Sequence, residues 1–142
     1  MIDSNGIRFG PLICYEAIVT EFVRKLVLQG AMILINISND SWFGNTSCPF
    51  QHRDLAAFRT IEHRRPLIRS TNTGLSLTVD ILGRYQKEGK LYEEDTIVDE
   101  IKLTALPFTF YTRYGNWFPW GCILISLLGL LIGRFKKAPN LI

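Results

Sequence analysis

The chain has 142 residues, room for about one domain. Its 16 basic and 13 acidic side chains leave a net charge of +3, with no long basic run and no basic-aromatic interleaving, so nucleic acid is not expected as a partner. Three cysteines, Cys14, Cys48 and Cys122, are too few and too irregularly spaced for a disulfide framework, and no Cys-x-x-Cys or Cys/His pairing points to zinc, so no metal or other cofactor is expected.

Met1 to Gly6 is polar, without the basic and apolar regions of a targeting signal. Ile7 to Ile13 reads as an apolar strand that ends at Cys14. Ala17 to Gln29 reads as a helix with Ile18, Phe22 and Leu26, and also Val19 and Val23, on its inner face, and Gly30 stops it. Met32 to Ile37 suits a strand buried on both faces. Asn39 to Ser47 is a loop, Pro49 to Arg65 a second helix, and Leu67 to Ser70 a strand. Asn72 to Gly74 is a turn, Leu75 to Ile81 a strand, Gly83 a turn, and Thr96 to Ile101 a last strand. Alternating strands and helices imply α/β layering, with the later strands connected as hairpins.

From Trp117 to Gly133 seventeen residues pass without a charge. At about 1.5 Å per residue they span roughly 25 Å, at the short end of what a bilayer core requires. Trp117 and Trp120 crowd one end as an interfacial belt does, and Arg134, Lys136 and Lys137 crowd the other, which favours a transmembrane helix over a buried core helix. The expected divisions are a catalytic-type domain over 1–113, a transmembrane helix over 114–133 and a basic cytoplasmic tail over 134–142, with the rest of the chain on the outer side.

Cys14 falls at a strand-to-helix turn, where a helix N-terminus would favour a thiolate and hold a developing oxyanion. The alternative is a small buried hydrophobe, and spacing alone does not decide between them. Glu16 is either a first-turn acid facing the helix dipole or a group that orients a catalytic partner. Asn39 and Asp40 each suit an Asx-turn at a strand end where ligands collect in open α/β sheets. Trp42 and Phe43, adjacent aromatics in a polar loop, must cover a pocket, touch a ligand or dip into lipid. Arg69, a charge inside a short apolar strand, needs a partner. His52 and His63, eleven apart, read as surface or capping residues, and Glu62 as a maker of surface ion pairs with Arg59, Arg64 and Arg65.

Several stretches, Ile13-Cys14-Tyr15-Glu16, Ile37 to Gly44 (Ile-Ser-Asn-Asp-Ser-Trp-Phe-Gly), Gln51-His52, Arg65 to Gly74 and Tyr111 to Trp117, together resemble the C-terminal part of the bacterial apolipoprotein N-acyltransferases. That family belongs to the nitrilase, or carbon-nitrogen hydrolase, superfamily. The resemblance implies an α/β fold, a partial nitrilase-like αββα sandwich followed by one C-terminal transmembrane helix. It implies a two-step transfer in which a Cys takes an acyl chain from a phospholipid as a thioester and passes it to the N-terminal diacylglyceryl-cysteine of a lipoprotein, in a bacterial inner (plasma) membrane with the catalytic part on the periplasmic or outer side. Cys14 matches the nucleophile, Tyr15 the donor of an oxyanion-hole N–H and Glu16 an orienting group. Trp42 and Phe43, with Asn39 and Asp40, match a substrate-binding loop.

The family's general-base Glu and oxyanion Lys lie upstream of its Cys and have no match here, so the chain is expected to be a back half that needs a missing N-terminal fragment and is inactive alone. A nitrilase-type amidase acting on a small amide and a non-catalytic membrane-anchored remnant are the alternatives.

Overall fold

In the computed structural model, which describes residues 1–103 and 106–135, six strands form a single sheet in sequence order. The strands are β1 (Ile2–Ser4), β2 (Ile7–Ile13), β3 (Ile33–Ser38), β4 (Leu67–Thr71), β5 (Leu77–Val79) and β6 (Tyr85–Glu88). β2, β3 and β4 run parallel, and β1, β5 and β6 are antiparallel to their neighbours. The helices are α1 (Thr20–Leu28), α2 (Cys48–His63), α3 (Phe110–Tyr114) and α4 (Trp117–Phe135). The tail from Lys136, with its two lysines, lies outside the described residues.

Parallel neighbours need crossovers, and right-handed crossovers through α1 and α2 put both helices on one face of the sheet. That face holds the core. Leu12, Leu34, Leu67, Leu77 and Val79 of the strands pack with Val23 and Val27 of α1 and Ala56 and Ala57 of α2. In register Leu12 faces Asn36, and Asn36 faces Arg69, so a polar row crosses the same covered face above the aliphatic one.

The alternate residues Phe9, Pro11, Ile13, Ile35, Ile37 and Ile68 point to the other face, which no helix covers. Ile13 is 58% exposed and Ile37 56%. A strand run this apolar on both sides is the pattern of a sheet meant to be covered twice. One helical layer and one sheet, with the second apolar face open, make half of an αββα arrangement.

Several elements differ from the sequence reading. The helix expected from Ala17 is split into a 3₁₀ turn, Cys14–Ile18, and α1, because Val19 is extended (φ −80°, ψ 95°). The break rotates the buried face, so Val23 and Val27 are inside while Val19 and Phe22 are exposed. The strand expected over Thr96 to Ile101 is irregular, and β5 is confined to Leu77–Val79. β1 forms because Asn5-Gly6, both at positive φ, make a tight hairpin turn.

His63 is not on the surface. It is fully buried at the end of α2, with Nδ1 2.8 Å from the Thr112 hydroxyl of α3. Glu62 is half-buried rather than a surface acid, 3.1 Å from the buried Arg59, and burial raises its pKa against the pull of that cation. The Thr109 hydroxyl donates to Glu62 O, and Arg24 of α1 donates to Thr112 O and Arg113 O at 2.8 Å each. These bonds clamp α3, and with it the start of α4, to the two core helices.

Two outcomes follow from this layering. Leu34→Ala, on the covered face, should cost about 3 kcal/mol in urea unfolding, whereas Ile37→Ala on the open face should cost less than about 1. Burial, then the charges of Arg59, Arg24 and Arg65, hold His63 neutral down to about 4. The unfolded chain therefore binds the extra proton first, and stability should fall by about 3 kcal/mol as pH drops from about 6.5 to 4, a loss that His63→Gln should remove.

Candidate active site

Cys14 follows the last residue of β2 with φ at +50°, a left-handed conformation that a side-chain-bearing residue adopts at a cost on the order of 1–2 kcal/mol. The strain has a visible cause. The Asn36 amide donates to Leu12 O at 3.1 Å and to Cys14 O at 3.2 Å, fixing the carbonyls on either side of Ile13. Glu16 Oε2 accepts from Ile13 N at 2.7 Å, half of a capping box that holds the turn from beneath. The chain is thereby forced to reverse at the cysteine.

Behind Asn36 lies a buried polar cluster. Arg69 donates through Nη1 to Asn36 Oδ1 and through Nη2 to Asp40 Oδ2 at 2.8 Å. Ser38 donates to Asp40 Oδ1 at 2.7 Å, and His52 Nδ1 stands 3.1 Å from the same oxygen. This is the partner that Arg69 required. Burial would raise the Asp40 pKa, but hydrogen bonds from His52 and Ser38 and the Arg69 charge bring it down to about 2. Burial lowers the Arg69 pKa while the charge and hydrogen bond of Asp40 oppose it. Gly74 closes the cluster from the β4–β5 turn, where a Cβ would land on the Asp40 carboxylate.

An aromatic layer covers the cluster. The Tyr15 ring stacks on His52 with centroids 5.1 Å apart, and Phe43 meets both edge-on, at 6.2 Å from Tyr15 and 5.8 Å from His52. Trp42 turns the other way. It is 79% exposed, with its indole N–H donating to Asn39 O at 2.7 Å. Asn39 makes the Asx-turn its type suggests, accepting from Ser41 N at 3.1 Å.

Cys14, Tyr15, Glu16, Phe43 and Asp40 therefore converge, and Trp42 and Asn39 form the exposed rim. Asp40 stands apart from the reading of it as a substrate contact. It is buried, with both oxygens committed to Arg69, Ser38 and His52. His52 is likewise buried rather than a surface or capping residue. Asn36 and Ser38 are not singled out by the sequence as site residues, although they alternate with Leu34 on the covered face of β3, a signal that each would need a partner. The helix-dipole argument for Cys14 is also corrected, since α1 begins only at Thr20 and the thiol sits at a single 3₁₀ turn.

An α/β half-sandwich with a cysteine strained at a strand end has known counterparts. Residues 1–107 match the carbon-nitrogen hydrolase family model, and the chain belongs to that family. It is 46% identical over 92% of its length to the apolipoprotein N-acyltransferase of Bdellovibrio bacteriovorus and 38% identical over 86% to that of Geobacter metallireducens. It spans about a quarter of the length of these curated relatives, 24% and 23% respectively. A solved carbon-nitrogen hydrolase from Helicobacter pylori superposes with a TM-score of 0.58 at 22% identity, over 66% of this chain and 40% of that one, a likeness of fold.

The Asp40 pairing predicts an acid limb. Because its folded-state pKa lies below the ordinary 3.8, its stabilisation is full above that value and lost as pH falls toward 2, an effect of about 2 kcal/mol. Arg69→Met should cost about 3–5 kcal/mol, since it strands the Asp40 charge, and the pair Arg69→Met with Asp40→Leu should recover part of that in urea unfolding.

Proposed function

We propose that this chain carries the nucleophile of an apolipoprotein N-acyltransferase and that Cys14 is that nucleophile. The observation that carries the reading is the positive φ of Cys14 with its flanking carbonyls pinned by Asn36 and its turn by Glu16. A half-buried sulfur on a fixed reversal, with amides of the following 3₁₀ turn nearby, suits attack on an ester. The likeness in sequence to the two N-acyltransferases supplies the substrate class.

In the first step the thiolate attacks the ester carbonyl of a phospholipid. The carbon-sulfur bond forms, the carbon-oxygen bond to glycerol breaks, and the lysophospholipid alkoxide leaves with the proton that the general base took from the thiol. In the second, the α-amine of a lipoprotein's diacylglyceryl-cysteine attacks the thioester, the carbon-sulfur bond breaks and the thiol is restored. Each step is easier than direct aminolysis of an ester, because a thioester is the better acyl donor. The Tyr15 N–H serves the oxyanion, Glu16 and the Asn36–Arg69–Asp40 cluster hold the nucleophile's backbone, and the Trp42-Phe43 loop guides the acyl chain. The general base and the oxyanion lysine come from sequence outside these residues, borne on a second sheet that covers Phe9, Ile13, Ile35 and Ile37.

α4 is long and apolar enough to cross a membrane, and its window Trp117–Arg134 is unburied. We place it as the span, Trp117 and Trp120 at the outer interface, Arg134 at the cytoplasmic end, and the catalytic residues outside.

Intact-mass measurement on the full chain in detergent with phospholipid tests this. Supplied with a fragment bearing the missing Glu and Lys, it should gain one acyl mass, removable by hydroxylamine, and lose that gain entirely in Cys14→Ser. The 142-residue chain alone should show no turnover. Acylation that survives Cys14→Ser would remove the nucleophile, and turnover without any added fragment would remove the divided site.

A further inference from the structure

At the end of the sheet opposite Cys14 lies a groove of about 540 Å³ lined by three arginines. Arg8 comes from the start of β2, Arg65 from the turn before β4 and Arg113 from α3. At about 3.3 Å per residue, the length of β2 separates this groove from the thiol by roughly 20 Å. It is a different site from the one that binds the reacting ester.

The three guanidinium groups are held differently. Arg65 is buried, donating through Nε to Ala31 O at 3.0 Å, through Nη1 to Arg64 O at 2.9 Å and through Nη2 to Leu106 O at 3.2 Å, with the Phe108 ring 6.0 Å away. It forms a fixed, charged floor. Arg8 lies against Gly30, where φ is +99° and a Cβ would overlap the guanidinium, and its one hydrogen bond is a long one, Nη1 to Gln29 O at 3.3 Å. Most of its donors are free for a ligand. Arg113 is exposed on α3, whose backbone the Arg24 clamp keeps in place.

Among the described residues no carboxylate lies within 4.0 Å of any of the three, and no acid lines the groove. Three like charges facing one concavity repel, and an anion with several oxygens is what relieves them. The remaining wall, with Phe108 and Met32, is apolar, which suits an anion carried on a greasy body. Arg113 also stands only four positions before Trp117, the first residue of α4.

We propose that the Arg8–Arg65–Arg113 groove binds a phosphate-type oxyanion, the group borne by a phospholipid headgroup beside α4 or by free inorganic phosphate. Arg8 and Arg113 grip the oxygens over the Arg65 floor. The site goes beyond the acyl-transfer reading and does not depend on it.

Calorimetric titration of the full chain in uncharged detergent tests the groove with three probes: dihexanoyl-phosphatidylglycerol, inorganic phosphate and phosphate-free dihexanoylglycerol. The first should bind saturably and the last should not. Lipid tighter than phosphate identifies the headgroup as the source, and phosphate as tight as lipid identifies the free ion. Arg8→Gln and Arg113→Gln should each weaken binding roughly tenfold, the loss expected for one charge-assisted contact, while Arg8→Lys retains most of it at unchanged helicity. Cys14→Ser should bind as the parent does, which separates this site from the thiol. Absence of saturable binding by both phosphate compounds, equal binding of dihexanoylglycerol, or affinity unchanged in the Arg8→Gln/Arg113→Gln double variant would overturn the proposal.

Discussion

A guanidinium buried in the middle of a strand is the constraint from which the site is built. Arg69 cannot lose its charge at any ordinary pH, and burying it without compensation would cost far more than a domain of this size can offset. Asp40 supplies the counter-charge, Asn36 takes a second N–H, and Ser38 and His52 fix Asp40 in turn. Asn36 has donors left after accepting from Arg69, and it spends them on the carbonyls of Leu12 and Cys14. The consequence reaches the surface as backbone geometry. The left-handed φ at Cys14 is the far end of a chain of hydrogen bonds that begins with a charge inside a sheet.

The same strands explain why the molecule is one-sided. Two right-handed crossovers can only stack α1 and α2 on one face, so whatever the other face needs must come from elsewhere. Phe9, Pro11, Ile13, Ile35 and Ile37 make that face apolar along the length of the parallel strands. Ile13 and Ile37 border the end where Cys14 and the Asn39–Phe43 loop lie, so a covering sheet would arrive beside the thiol. Whatever covers that apolar face would therefore also sit beside Cys14, so burial of the face and enclosure of the thiol go together.

The parallel β2, β3 and β4, α2 and the apolar terminal helix were legible because each carries a clean period or a bounded apolar run. Arg69 was legible as a problem, a charge with no visible answer, because spacing reveals need but not partners that sit seventeen or twenty-nine residues away. Asn36 hid among isoleucines, and His52 and His63 looked like surface groups because a helix of mixed composition does not declare which side is buried. The Thr96 to Ile101 segment has a strand's composition, yet it is irregular. β1 was missed despite its Asn5-Gly6 turn, since its exposed residues carry no alternation to find. The Val19 break is a tertiary effect. Ala17 is drawn into the core beneath the Cys14 turn, and a continuous helix from that point would carry Glu21 and Arg24 rather than Val23 and Val27 inward.

The position of the thiol relative to α4 limits how such a domain can sit on a bilayer. α3 is clamped to the middle of α1 through Arg24 and to the end of α2 through His63, and Arg113 of α3 lines the groove with Arg8 at the start of β2, whereas Cys14 lies at the finish of β2, roughly 20 Å from Arg8 along the strand. If α4 crosses a membrane and the strands stand along its normal, the thiol is held that far from the surface. Strands lying along the surface bring both ends to lipid at once. With the strands along a bilayer surface, the exposed Trp42 indole would stand as a second interfacial contact beside Trp117, and two aromatic contacts separated by the length of a strand would fix a tilt that neither could fix alone.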